Sequence, residues 1–131
     1  MKYLLDTHVW LWFSLEPSKL GPTTRALLVD PRQEITVSVV SLWEITIKHA
    51  IGKLALDVPL KELWQAQTID AGFKILPLDS PHVFGVSQLP MHHRDPFDRA
   101  LVAQARTDSL ALVTVDGAMK DYDVILIDAG A

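Results

Sequence analysis

Four short apolar runs constrain this chain more than any other feature. They are "KYLLD" (Lys2–Asp6), "EITVSV" (Glu34–Val39), "LALVTVD" (Leu110–Asp116) and "DVILID" (Asp123–Asp128). Each is nearly unbroken rather than alternating, as expected of strands buried on both faces. Helical segments separate them. "THVWLWFSL" follows the first run, and "GPTTRALLVD" begins a helix after a Gly-Pro break. "SLWEITIKHAIG" (Ser41–Gly52) and "PLKELWQAQTIDAG" (Pro59–Gly72) are expected as two further helices, ended by glycine. "FKILPL" (Phe73–Leu78) reads as a short third strand, so the order-four and order-five strands are Leu110–Asp116 and Asp123–Asp128. "PHVFGVSQL" and "PFDRALVAQARTD" are the fifth and sixth helices. Strands alternating with helices imply right-handed crossovers and a mostly parallel sheet of about five strands in an α/β fold. Sites in such sheets form beyond the carboxyl ends of the strands.

Composition narrows the classes. The 131 residues suit one domain over 1–131, and 49% hydrophobic with 21% charged residues indicates a folded core. No cysteine is present, so disulfides and thiolate metal sites are excluded; this fits a reducing cytoplasm. Asp6 and His8 interrupt the N-terminal apolar run, so no signal peptide is expected, and no apolar stretch is long enough for a membrane span. A net charge of −4 gives no bulk attraction to nucleic acid, although bound cations would invert a local field.

Four acids stand where chemistry is expected. Asp6 ends the first strand and Asp116 the fourth. Asp98 lies in the first turn of the sixth helix, in the middle of the apolar face of Phe97, Leu101, Val102 and Ala105, with Arg99 and Arg106 on the other side. Glu44 lies at the margin of a stripe of Val40, Ile47 and Ile51, one turn before Lys48. Gathering carboxylates is unfavourable unless a positive charge joins them. A divalent cation is the economical solution, and oxygen ligands without cysteine point to Mg²⁺ or Mn²⁺. Such ions suit phosphodiester hydrolysis, in which the metal lowers the pKa of a water and makes it a nucleophile.

Each acid has a structural alternative. Asp6 can cap the following helix, Asp116 can open an Asp-Gly turn, and Glu44 can pair with Lys48 for about 0.2–0.5 kcal/mol. Asp98 can interact with a helix N-terminus, and Asp95 is expected first as the cap before Pro96, with metal binding as its alternative.

"LLDTH" (Leu4–His8), "SLWEITIK" (Ser41–Lys48), "RDPFDRALVAQA" (Arg94–Ala105) and "LVTVD" (Leu112–Asp116) together resemble the PIN-domain nucleases. Within them, they are most similar to the VapC-type toxins of type II toxin–antitoxin systems. The resemblance spans essentially the whole chain, with the four motifs in order. It implies a three-layer α/β/α PIN domain and an endoribonuclease dependent on Mg²⁺ or Mn²⁺. Asp6, Glu44, Asp98 and Asp116 match the four family acids, as catalytic and metal-binding residues. Thr7 matches the hydroxyl residue after the first acid, and Thr114 the Thr/Ser position of the fourth motif. Asp95 belongs to a variant of the third motif that would support the ligands. The resemblance also implies a homodimer and a cognate antitoxin whose tail blocks the acidic pocket.

Other residues fit an RNA substrate. Lys48, His49, Lys53, His92, His93, Arg94 and Arg99 can form a positive rim that places phosphates, or be scattered solvated charges. Adjacent His92 and His93 are a poor zinc pair, with no third ligand at a familiar spacing. Trp10, Trp12, Trp43 and Trp64 are expected in the core or an interface, with base stacking by one of them as the alternative. Leu42, Ile45 and His49 make a second stripe on the Glu44 helix; with the aromatic-rich first helix, this stripe suggests a self-association surface. Two rival readings remain. A receiver-like phosphotransfer domain would need two acids after the first strand, an Asp after the third and a Lys after the fifth. A non-catalytic PIN-fold binding module would have no reason to carry four mutually repelling acids.

Overall fold

The computed structural model describes residues 1–91 and 95–131. Five strands, β1 (Lys2–Leu5), β2 (Glu34–Ser38), β3 (Lys74–Leu76), β4 (Ala111–Thr114) and β5 (Leu126–Asp128), form one sheet in the order β3-β2-β1-β4-β5. All four pairings are parallel, with Leu4 opposite Thr36 on one side and Leu112 on the other. Helices α1 (Thr7–Leu15), α2 (Pro22–Val29), α3 (Val39–Ala50), α4 (Leu60–Trp64), α5 (Ser80–Ser87) and α6 (Pro96–Thr107) complete a three-layer α/β/α arrangement. Among the described residues no helix is long and apolar enough to cross a membrane.

The unbroken apolar runs serve two cores. Leu5, Ile35, Val37 and Val113 face one cluster, with Val9 and Trp10 of α1, Leu28 of α2 and Leu63 and Trp64 of α4. Leu4 and Leu112, one residue out of phase, face a second cluster with Leu101, Val102 and Ala105 of α6. This is the period-two alternation of a strand applied to a sheet covered on both faces. Helix α3 joins the two sides, placing Val40 in the second cluster and Ile45 in the first.

Several expected boundaries shift. Helix α3 begins at Val39 rather than Ser41, because the Ser38 hydroxyl accepts the Val40 amide hydrogen bond at 3.0 Å and caps it. The helix expected over Pro59–Gly72 is α-helical only to Trp64 and widens into a π-helical turn over Gln65–Ile69. Thr68 is buried in that turn, where its hydroxyl accepts from the Trp10 indole at 3.0 Å. Strands β4 and β5 are shorter than the apolar runs that contain them: β4 stops at Thr114, and β5 starts only at Leu126. A short 3₁₀ turn over Gly117–Asp121 follows β4.

The stripes on α3 divide differently from the sequence pattern. Val40 is buried, but Ile47 and Ile51 are exposed, together with Trp43. Glu44 is 2% exposed instead of marginal. Ile45 is fully buried and Leu42 packs against the first core, so the free apolar surface is not centred on them. The physical reason is that α1 covers one flank of α3 and α6 another, with Phe97 of α6 meeting only the edge of Trp43, which leaves Trp43, Ile47 and Ile51 exposed.

Candidate active site at the carboxyl edge of the sheet

The strand order reverses direction between β1 and β4, and open α/β sheets place their sites at that point. The backbone amide of Asp6 donates to the Val113 carbonyl at 2.9 Å, which locks the end of β1 against β4. Asp6 is 2% exposed. One carboxylate oxygen accepts from the Thr7 amide at 2.7 Å, so Asp6 does cap α1. The other accepts from the Thr114 hydroxyl at 2.7 Å. Burial pushes the Asp6 carboxyl above its ordinary value; the Thr114 and Thr7 hydrogen bonds oppose that rise, and the negative charge of Glu44 adds to it.

Thr114 links two of the expected acids. Its oxygen also accepts from the Asp116 amide at 3.0 Å, while the Asp116 carboxylate accepts from the Ala118 amide at 2.9 Å. Asp116 is half-buried and caps the 3₁₀ turn two residues beyond β4, so it does not itself end the strand. On the other flank, the Thr7 hydroxyl donates to Ser41 Oγ at 2.9 Å, tying α1 to α3 one turn before Glu44.

Glu44 carries the most informative imbalance. Its Oε2 pairs with Lys48 Nζ at 2.5 Å, one helical turn away. Its buried Oε1 has no hydrogen-bond partner among the described residues. The Lys48 ammonium is stabilised above its ordinary pKa by Glu44 first, and also by the charges of Asp95 and Asp98. Lys48 therefore sits in the common field of three carboxylates. Asp98 is half-buried in the first turn of α6, short of the core that Leu101, Val102 and Ala105 occupy. Its helix is capped by Asp95, whose carboxylate accepts from the Phe97 amide at 2.9 Å and the Asp98 amide at 3.1 Å.

Three of the expected acids are linked by contact or charge, and the fourth only through the field at Lys48: Asp116 joins Asp6 through Thr114, Asp6 feels Glu44, and Lys48, paired with Glu44, also feels the charge of Asp98. They do not form a closed cage. Among the described residues no three His, Asp or Glu side chains are grouped to hold a metal ion. Mg²⁺ does not require such a cage, because it keeps several waters and binds through one or two carboxylates plus substrate phosphates. A hard cation fits this donor set, since the Oε1 of Glu44 is buried without a hydrogen-bond partner among the described residues and Asp6 is desolvated.

Of the proposed positive rim, Lys53 and His49 are exposed and Lys48 half-exposed, whereas Arg99 is not on it. Arg99 is 8% exposed and donates to the carbonyls of Pro90 at 2.9 Å and Val86 at 3.1 Å, and to the Tyr122 hydroxyl at 3.3 Å. Helix α5 covers the side of α6 that the sequence pattern leaves to solvent, and Arg99 ties the end of that helix down. His92, His93 and Arg94, named for the rim and as a histidine pair, lie outside the described residues. Sequence reasoning missed Ser41 and underrated Lys48. Lys48 was legible as an i,i+4 partner, but its place in the field of Asp98 depends on how α3 meets α6.

A parallel α/β sheet in this order, with acids just past β1 and β4, agrees with the fold expected for the PIN class. The PIN domain profile matches residues 3–125, and the chain belongs to that family. A structure of VapBC2 from Rickettsia felis bound to a DNA fragment from its promoter superposes with a TM-score of 0.70 at 17% identity, covering 97% of this chain and 98% of that one. FitAcB from Neisseria gonorrhoeae gives 0.69 at 23% identity, covering 97% of both chains. VapBC-5 from Mycobacterium tuberculosis, a member of the VapBC family of toxin–antitoxin systems, gives 0.58 at 19% identity over 92% of this chain and 89% of that one. Comparison with curated protein sequences finds no match.

Proposed function

We propose that this chain is a Mg²⁺- or Mn²⁺-dependent endoribonuclease, the toxin of a type II toxin–antitoxin pair, acting in the cytoplasm. The observation that carries this reading is the acid pair Asp6 and Glu44, buried at the switch point of a PIN-domain sheet, with one Glu44 oxygen lacking a hydrogen-bond partner among the described residues. Asp6, Glu44, Asp98 and Asp116 would hold the cation. When bound, that cation supplies Lewis-acid activation of water and stabilises the departing oxygen of a phosphodiester. Thr114 and the Thr7 amide hold the Asp6 carboxylate in one orientation, and Ser41 fixes Thr7 in turn. Asp95 holds the first turn of α6, and with it Asp98. Lys48 offers a positive group beside the acids, able to meet a substrate phosphate. The toxin–antitoxin neighbours support a protein antitoxin as partner.

The test is cleavage of RNA by purified protein. Activity is expected with Mn²⁺ or Mg²⁺ and not with a chelator, leaving 5′-phosphate and 3′-hydroxyl ends. Cleavage undiminished in excess EDTA, or 2′,3′-cyclic phosphate ends, would overturn the reading.

We further propose a homodimer. Trp43 is 56% exposed, and with Ile47 and Ile51 it forms an apolar strip along α3, against which Phe97 packs edge-on at 5.1 Å. Light scattering at micromolar concentration is expected to give a dimer; a monomer across that range contradicts it.

A further inference from the structure

The ion pair of Glu44 and Lys48 differs from the others in this protein. Among the described residues, the other lysine and arginine pairs use carboxylates whose side chains are 20% exposed or more. The Glu44 side chain is 3% exposed, whereas that of Lys48 is 37% exposed. The acid is enclosed while its counter-ion reaches solvent, in the lining of a cleft that it shares with Thr7 and His8.

The pair is also incomplete. Arg32 shows a finished one: its Nε and Nη2 donate to different oxygens of Asp30, at 3.0 and 2.9 Å. Lys48 takes only Oε2 of Glu44, at 2.5 Å, and leaves the buried Oε1 without a hydrogen-bond partner among the described residues. A counter-ion present for stability alone is not expected to leave a buried acceptor open. Lysine is moreover a point charge on a flexible stem, so a side-chain rotation can withdraw it. The charges of Asp95 and Asp98 act on the same ammonium. It therefore already occupies the overlap of carboxylate fields that draws a divalent cation. A second cation on Glu44 is repelled by the first, and a buried carboxylate gives little screening between them.

We propose that Lys48 is a resident counter-ion of Glu44, displaced when a divalent cation binds that carboxylate and thereby freed to hold a phosphate of the substrate. This rests on the metal-dependent ribonuclease reading above and adds to it a coupling: cation and phosphate binding are linked through one side chain. The linkage is reciprocal, so a phosphate that holds Lys48 tightens cation binding by the same factor.

The first measurement is Mn²⁺ affinity without RNA, read from the electron paramagnetic resonance signal of the free ion. Lys48→Met keeps an unbranched stem and removes the charge; Lys48→Arg keeps the charge. Lys48→Met is expected to bind Mn²⁺ about tenfold more tightly than the parent, and Lys48→Arg to stay near the parent. In a Glu44→Gln background the same Lys48→Met change is expected to do much less, because the shared carboxylate is gone. Melting curves in Mn²⁺ confirm that the variants are folded. The second measurement needs no variant. Acetylation of lysines in the parent, read by mass spectrometry, is expected to speed up several-fold at Lys48 when Mg²⁺ is added. It is expected to stay constant at Lys74, which pairs with Glu34 at the start of β2. Equal or weaker Mn²⁺ binding in folded Lys48→Met, or unchanged acetylation of Lys48 with Mg²⁺ bound, would overturn the displacement while leaving the ribonuclease reading intact. So would a tightening by Lys48→Met that persists in full without Glu44. A parent protein that neither binds Mn²⁺ nor cleaves RNA would overturn that reading itself.

Discussion

Two buried polar clusters in this protein are finished to different degrees. In one, Gln104 of α6 is fully buried and accepts the Ser38 hydroxyl at 2.6 Å, while its amide donates to the Pro77 carbonyl at 3.2 Å. Nearby, His82 is buried with Nδ1 accepting from the Asp79 amide at 3.0 Å and Nε2 placed 3.1 Å from the Asp108 carboxylate. Every group in that cluster has a partner. In the other, Glu44 keeps an oxygen with no partner among the described residues, and Asp6 is buried at an electrostatic cost. A satisfied network fixes one packing of the chain, whereas a buried group left incomplete persists only where something else completes it or function requires it. The first cluster is architecture, holding β2, α5 and α6 together. The second is the place to look for chemistry.

Substitutions should separate the two by what they damage. The largest effect is expected from Asp98→Asn, which keeps the shape and removes one charge. RNA cleavage should fall by orders of magnitude, while the melting temperature without metal stays equal or rises. Mn²⁺ should stabilise the parent more than the variant: a ligand at a hundredfold its Kd adds about 2.7 kcal/mol to the native state. A stability loss with retained cleavage and an unchanged metal response would place Asp98 in the architecture instead.

Gln104→Leu should show the reverse pattern. It removes the partner of the Ser38 hydroxyl and the donor to the Pro77 carbonyl, leaving buried groups unsatisfied. The expected loss of stability is about 1–3 kcal/mol for such a deletion. Cleavage per folded molecule should stay within a few-fold of the parent. Chemical denaturation measures the first and a titrated cleavage assay the second; wild-type stability would show that the network carries no weight.

How much of this contrast was legible in the sequence follows from which signals are local. Strand placement was readable because apolar runs and Gly or Pro breaks are local features, and all five strands fall inside their runs. The roles of Asp6 and Asp95 as caps were readable for the same reason. Asp98 was read as pointing at the core because a helical wheel has one inside; in the first turn of α6 it is instead half-buried, and its charge is felt by Lys48. Arg99 was assigned to solvent by the same wheel, which contains no term for α5 packing on the second side. The Gln104 network was invisible: a glutamine in "LVAQA" gives no sign that Ser38, sixty-six residues earlier, is its partner. Long-range polar pairing depends on tertiary placement, and a single sequence does not encode it as a pattern.

The smallest expected effect concerns pH and isolates Asp6. Burial raises its folded carboxyl pKa above the ordinary value of 3.8. Between 3.8 and that raised value the folded state binds more protons than the unfolded one. The slope of unfolding free energy with pH is proportional to protons bound in the unfolded state minus those bound in the folded state, so it is negative here. Asp6 therefore contributes less stability as pH rises through this window, and its full cost is present at neutral pH in the absence of metal. Asp6→Asn removes that contribution, so its stability in the mildly acidic range should rise with pH relative to the parent. The comparison requires chelator throughout, because a bound cation favours the ionised carboxylate and reverses the sign. Parallel stability–pH curves for parent and variant in EDTA would show that Asp6 titrates alike in both states. Its burial would then cost nothing, and the contrast with the Gln104 cluster would have to rest on Glu44 alone.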